Sequence, residues 1–190
     1  IPMHLFTVPF ISRATLFSVA ALGFISLSAC QAISEPATLH WSEPQFAGIP
    51  DAARLDELSG LTRSNSHDGV YWAINDSEKP AEVIAIDSHA KNIGAFKLLG
   101  IRNIDWEDIA GYSLDGKRYL AIADTGDNGG VRTELFIHII EEPATLVDSG
   151  QIASIRTVRF QWPDGARDAE SLAADEKRRQ FLIISKKRVP

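Results

Sequence analysis

Three consecutive segments of similar make constrain this chain more than any single motif does. The first reads Glu57-Leu58-Ser59-Gly60-Leu61, an Asp68-Gly69 turn, then Tyr71-Trp72-Ala73-Ile74-Asn75-Asp76. The second reads Glu107-Asp108-Ile109-Ala110-Gly111, an Asp115-Gly116 turn, then Tyr119-Leu120-Ala121-Ile122-Ala123-Asp124. The third reads Glu170-Ser171-Leu172-Ala173-Ala174, a turn over 175–179, then Phe181-Leu182-Ile183-Ile184-Ser185-Lys186. Each copy sets a carboxylate before a short apolar strand, a tight turn and a second strand rich in aromatic and branched residues. Asp-Gly supplies the positive φ that hairpin turns demand.

Third strands are expected at 82–87 and 134–140, and fourth strands at 94–99 and 155–161. The carboxylates Glu57, Glu107 and Glu170 stand 50 and 63 residues apart, near the roughly 40 to 50 residues of a propeller blade once a longer loop at 141–150 is allowed for. The expected fold is all-β, a β-propeller of four-stranded blades. Two whole units and half of a third are present, so an incomplete amino-terminal part of a ring is expected, since rings close with about 4 to 8 blades. A β-sandwich also has short strands and regular turns. It gives no reason for a carboxylate at one phase of three units.

The amino end differs in kind. Residues 1–30 hold no acidic residue, a single formal positive charge at Arg13 and an apolar run over 14–27. That run is shorter than the roughly 20 residues of a membrane span and suits the core of a signal peptide. It ends in Leu27-Ser28-Ala29-Cys30, which resembles the lipobox of bacterial lipoproteins. The resemblance implies a signal peptide over 1–29, lipid on Cys30 and, with Gln31 following, anchorage to the outer membrane. Residues 30–45 read as a tether with one strand at 38–41 that closes the ring, and 46–190 as the blades. The chain has only one cysteine, so no internal disulfide framework or cysteine zinc site is expected. A net charge of −6 argues against nucleic acid as a partner, because such domains are normally basic.

The inner strands of a propeller run along its channel, so Glu57, Glu107 and Glu170 are expected at the rim. Converging carboxylates repel one another, and a hard cation such as Ca²⁺, with its oxygen ligands, neutralises them. Asp105 and Asp108 flank Glu107. Asp76 and Asp124 end the second strands of their units, where Lys186 stands in the third. The loop Asp124-Thr125-Gly126-Asp127-Asn128-Gly129-Gly130, followed by Arg132, is dense in oxygen ligands but lacks the spacing and the helices of an EF-hand. The metal candidates are therefore Glu57, Asp105, Glu107, Asp108, Asp124, Asp127 and Glu170. Asp76, Asn128, Arg132 and Lys186 are the candidates for ligand contact, with a small phosphorylated or cationic ligand in view. The bland alternative has each Glu capping backbone amides at its blade entrance. Gly111 to Lys117 has most of a P-loop's spacing, yet it spans a hairpin and ends in Arg118, so it carries no phosphate site.

Glu57-Leu-Ser-Gly-Leu, Asp105-Trp-Glu-Asp-Ile-Ala, Asp124-Thr-Gly-Asp-Asn with Arg132, Glu142-Pro143 and Asp168-Ala-Glu-Ser-Leu together resemble the exported bacterial phytase-like propellers, the "esterase-like activity of phytase" family. The likeness covers residues 55–186. Glu170-Ser-Leu-Ala-Ala-Asp-Glu also resembles the calcium-dependent β-propeller phytases, which implies a calcium-binding role for Glu170. The other metal and phosphate residues of those phytases are not found. Two functions stay open: an envelope binding module whose acidic rim holds a divalent cation, and a calcium-dependent phosphoesterase.

Overall fold

The computed structural model describes residues 5–10, 42–51 and 53–186, and among them there is no helix. Residues 12–46 form a unit of their own, of which 42–46 are described and carry no strand. The strands all belong to the other unit. Arg13, the apolar run 14–27, Cys30 and the strand expected at 38–41 lie outside the described residues.

In chain order the strands are β1 (Leu5–Pro9), then a meander of β2 (Leu58–Arg63), β3 (Val70–Asn75), β4 (Glu82–Asp87) and β5 (Asn92–Leu99). A second run follows with β6 (Trp106–Leu114), β7 (Lys117–Asp124) and β8 (Leu135–Glu141). Next, β9 (Gly150–Ala153) returns to lie parallel to β5, and β10 (Arg156–Phe160) pairs with β8. The hairpin of β11 (Ala169–Asp175) and β12 (Gln180–Ser185) comes last, and β1 joins it. The result is all-β, with three open sheets ordered β2-β3-β4-β5-β9, β10-β8-β7-β6 and β1-β12-β11.

Four strands per sheet is met in the second sheet alone. The first sheet gains β9, of which only Gly150 belongs to the stretch 141–150 expected to be a loop. The third takes β1 from the stretch expected to be a signal peptide. Leu5-Phe6-Thr7-Val8-Pro9 suits an edge strand: Phe6 stacks near Phe160 and Trp162, while Val8 and Phe10 are buried. Pro9 ends the strand, where its missing N–H costs no inner ladder bond.

The three sheets pack face to face, and β6 lies against both β2 and β11. Leu120 and Ile122 on β7 pack with Trp72, Ile74 and Val83 of the first sheet, whereas Ala121 and Ala123 pack with Phe181, Ile183 and Leu172 of the third. Both faces of β7 are covered, and this is why it reads as an unbroken apolar run rather than an alternation. Burying each large side chain of this kind contributes about 1.5–3 kcal/mol. The β6–β7 turn is the two-residue hairpin expected at Asp115-Gly116, with φ of 50° and 79°.

Candidate metal centre

Each inner hairpin carries one bulge, at the same place. The register steps from Leu58↔Asn75 to Gly60↔Ile74, from Trp106↔Asp124 to Asp108↔Ala123, and from Ala169↔Ser185 to Ser171↔Ile184. The extra residues are Ser59, Glu107 and Glu170. A bulge re-aims the side chain of its inserted residue and leaves that residue outside the ladder. Glu107 and Glu170 are therefore equivalent, as the sequence pattern requires. Glu57 is two residues out of phase with them. Its equivalents are Asp105 and Asp168, each two residues before the inserted residue, and the place of Glu107 is taken in the first unit by Ser59. The same register sets Asn75, Asp124 and Ser185 in one position and Asp76, Thr125 and Lys186 in the next.

Five carboxylates converge beside these bulges as two trios that share Glu107. Asp76, Asp105 and Glu107 present oxygens within 4.8 Å of one another, and so do Glu107, Asp168 and Glu170. Glu107 is only 5% exposed. Among the described residues no hydrogen bond or ion pair reaches its carboxylate; its neighbours are the charges of Glu170, Asp76, Asp105 and Asp168. Burial, and then those like charges, push its pKa up to about 8. Asp105 is raised to about 6 by burial and by Asp76, against the opposing charge of Arg132.

The loop after β7 closes over these groups. Gly126 donates its N–H to the Asp105 carbonyl at 3.1 Å. A Cβ there would stand 2.3 Å from Glu107 Oε1 and 2.4 Å from Asp105 Oδ2, so only glycine lets the loop come this close. Asn103 ties the first unit to the second: its Nδ2 donates to the carbonyls of Asn75 and Asp76, and its Oδ1 accepts from Trp106 N. The donor set is all oxygen, the Glu107 carboxylate has no donor among the described residues, and the backbone of Gly126 stands against it. A hard divalent cation fits such a set.

The remaining candidates sit elsewhere. Glu57 is half-exposed, with Lys79 Nζ at 3.7 Å. Asp108 spends both oxygens on backbone, accepting from Ile109 N at 2.8 Å and from Leu172 N at 2.7 Å, which ties β6 to β11. Its pKa is raised by burial, against these two bonds. Asp124 is fully buried and paired with Arg132 Nη2 at 2.7 Å. Asp127 caps its own loop by accepting from Val131 N and Arg132 N, and Asn128 is exposed. The aspartates and arginine of this loop hold its shape: Arg132 Nη1 also donates to the Gly126 carbonyl at 2.7 Å. Lys186 does stand at the rim. Its ammonium donates to Glu170 and lies 3.4 Å from Asp168 Oδ2.

Asp168 is the rim residue that carboxylate spacing alone passes over. It is 4% exposed and accepts from Asp127 N at 2.8 Å. The signal for it lies in the repeated acid-x-Glu of Asp105-Trp106-Glu107 and Asp168-Ala169-Glu170, with Glu57-Leu58-Ser59 as the first copy. Compared with protein-family models, curated proteins and solved structures, the chain matches none.

Proposed function

We propose that the chain is the blade-forming part of an exported, lipid-anchored β-propeller whose acidic channel rim binds a divalent cation, Ca²⁺ by the chemistry of its ligands. The three sheets are read as successive blades because each opens with the same bulged hairpin and because β6 is flanked by β2 and β11. One observation carries the cation reading: Glu107 is buried, shared by both trios, and accepts no hydrogen bond. A carboxylate desolvated without a donor is costly unless it is neutralised, and a divalent ion neutralises several at once. When bound, Ca²⁺ would be held at one of the two trios, by Asp76, Asp105 and Glu107 or by Glu107, Asp168 and Glu170.

The module is read as an envelope binding scaffold, anchored through lipid on Cys30. A phosphoesterase reading draws on Arg132 and Lys186, cationic groups beside the carboxylates that would orient an anionic ester. A bound cation would supply charge neutralisation and an acidified water to such a reaction.

Calcium titration of the protein by calorimetry and thermal melting separates these readings from a merely structural rim. Saturable binding with a raised melting temperature, absent in Glu107→Gln, is expected. Equal binding by Glu107→Gln would remove the site. Turnover of phytate or an aryl phosphate that needs calcium and is lost in Glu107→Gln would favour the hydrolase.

A further inference from the structure

We infer that Lys186 is a tethered cation filling one of two cation positions at this rim, so that the native chain takes a single divalent ion, at Asp76, Asp105 and Glu107. The inference rests on the cation reading above and deepens it.

The two trios share a buried acceptor and differ in what the repeat sets beside them. One residue beyond the Asn75/Ser185 position, the first unit has Asp76 and the third has Lys186. The same place in the hairpin thus contributes an anion to one trio and a cation to the other. Asp76 adds a ligand to Asp105 and Glu107. Lys186 donates to Glu170 and stands 3.4 Å from Asp168 Oδ2, two of the three members of the second trio. No ammonium is paired with Asp76, Asp105 or Glu107 among the described residues, and Arg132, whose charge acts on Asp105, is committed to Asp124 and the Gly126 carbonyl.

A carboxylate can bridge two ions about 3.5–4 Å apart, as in two-metal sites, so the shared Glu107 does not by itself limit the rim to one. What limits it is the ammonium. A divalent ion entering the second trio must displace Lys186 from both of its carboxylates or sit against its charge, and like charges a few ångströms apart oppose each other even where water screens them in part. An ammonium on a side chain of the protein is present at high effective concentration, so it holds its place against free ions. Selectivity follows from the same arrangement. The open position has three carboxylates converging on it, a charge that suits a divalent ion, while the closed one is satisfied by a single positive charge.

The test is calcium titration of the full chain by calorimetry at neutral pH, using CaCl₂ alone, for the native protein, Lys186→Gln and Lys186→Arg. Lys186 is half-exposed at the end of β12, and its replacement leaves the cores untouched; melting curves without calcium check this. One calcium per chain is expected for the native protein and for Lys186→Arg, and two for Lys186→Gln. A single calcium in Lys186→Gln overturns the inference and leaves the cation reading standing. Two calcium ions in the native protein do the same. No binding by any of the three proteins overturns the cation reading, and this inference with it.

Discussion

Glu107 and Glu142 are both 5% exposed, yet their surroundings are opposite. Glu142 follows β8 at the junction of the first and second sheets, where Oε1 accepts from the Ser64 hydroxyl and, at 2.8 Å, from Trp72 Nε1. Its Oε2 accepts from Asn65 N at 3.2 Å. Nearby, His67 Nε2 is 2.8 Å from the Pro143 carbonyl and extends the same polar seam. Among the described residues Glu107 has no donor, and four carboxylates lie around it. Depth of burial therefore says nothing about role here. A buried carboxylate surrounded by donors fixes two sheets together; one surrounded by like charges holds its proton more tightly and could accept a cation.

Removing the satisfied carboxylate gives the largest effect. Glu142→Ala orphans the Ser64 hydroxyl and the indole N–H of Trp72, which is itself fully buried. Leaving buried donors of this kind without an acceptor costs about 1–3 kcal/mol each. Chemical denaturation with calcium at zero and at saturation checks it, and the loss is expected to be the same in both. If Glu142→Ala abolished the calcium response and left the calcium-free protein intact, the two residues would have to exchange roles.

The unsatisfied carboxylate makes a prediction of opposite kind. Glu107 is raised to about 8 in the fold against about 4.3 in an unfolded chain, so between those values the folded state holds the proton that the unfolded state has released. Stability of the calcium-free protein therefore falls as pH rises from about 5 to 8, by on the order of 3 kcal/mol. Asp105, raised to about 6, adds to the acid half of that window. Aspartates held low by hydrogen bonds to their charged state, among them Asp87 through Lys91 N and Asp175 through Arg178, act in the other sense, below about pH 4. Melting temperatures from pH 5 to 8.5 are expected to decline in the native protein, to flatten in Glu107→Gln, and to recover at the alkaline end with calcium. A native profile that rises with pH across this window would sink the account.

The contrast also marks what could be read from residues alone. Strands β2 to β8 and the hairpin β11–β12 announce themselves through apolar runs bounded by Asp-Gly and other turn residues, so the all-β class and the repeat were legible. The bulges were not, because an inserted residue leaves no compositional trace. Glu57 aligns with Glu107 on its carboxylate alone, although Ser59 holds that place and Glu57 matches Asp105, two residues earlier. Strand β9 escaped because its four residues pair parallel to a strand more than fifty positions earlier, with no local turn to announce it. The loop 124–130 misled through its chemistry. Aspartates near glycines suit a cation and suit loop caps equally, and Arg132 decides for the second by pairing with Asp124.

The smallest effect sharpens the comparison with neutral groups. Trp72 and Trp106 are both fully buried, but Trp72 Nε1 donates to Glu142 at 2.8 Å, whereas Trp106 Nε1 has no partner among the described residues. Trp72→Phe loses a charge-assisted hydrogen bond and leaves Glu142 one donor short, while the edge contact with Phe96 persists in kind. A cost of about 1.5–3 kcal/mol is expected. Trp106→Phe loses a similar volume yet relieves an indole N–H of an unmet desolvation penalty of about 1–3 kcal/mol, which offsets most of the lost packing, so it is expected within about 1 kcal/mol of native. Urea denaturation of the two variants side by side, without calcium, measures the difference. Equal losses would mean that packing alone governs both sites, and that the donors around Glu142 contribute far less to joining the sheets than their geometry implies.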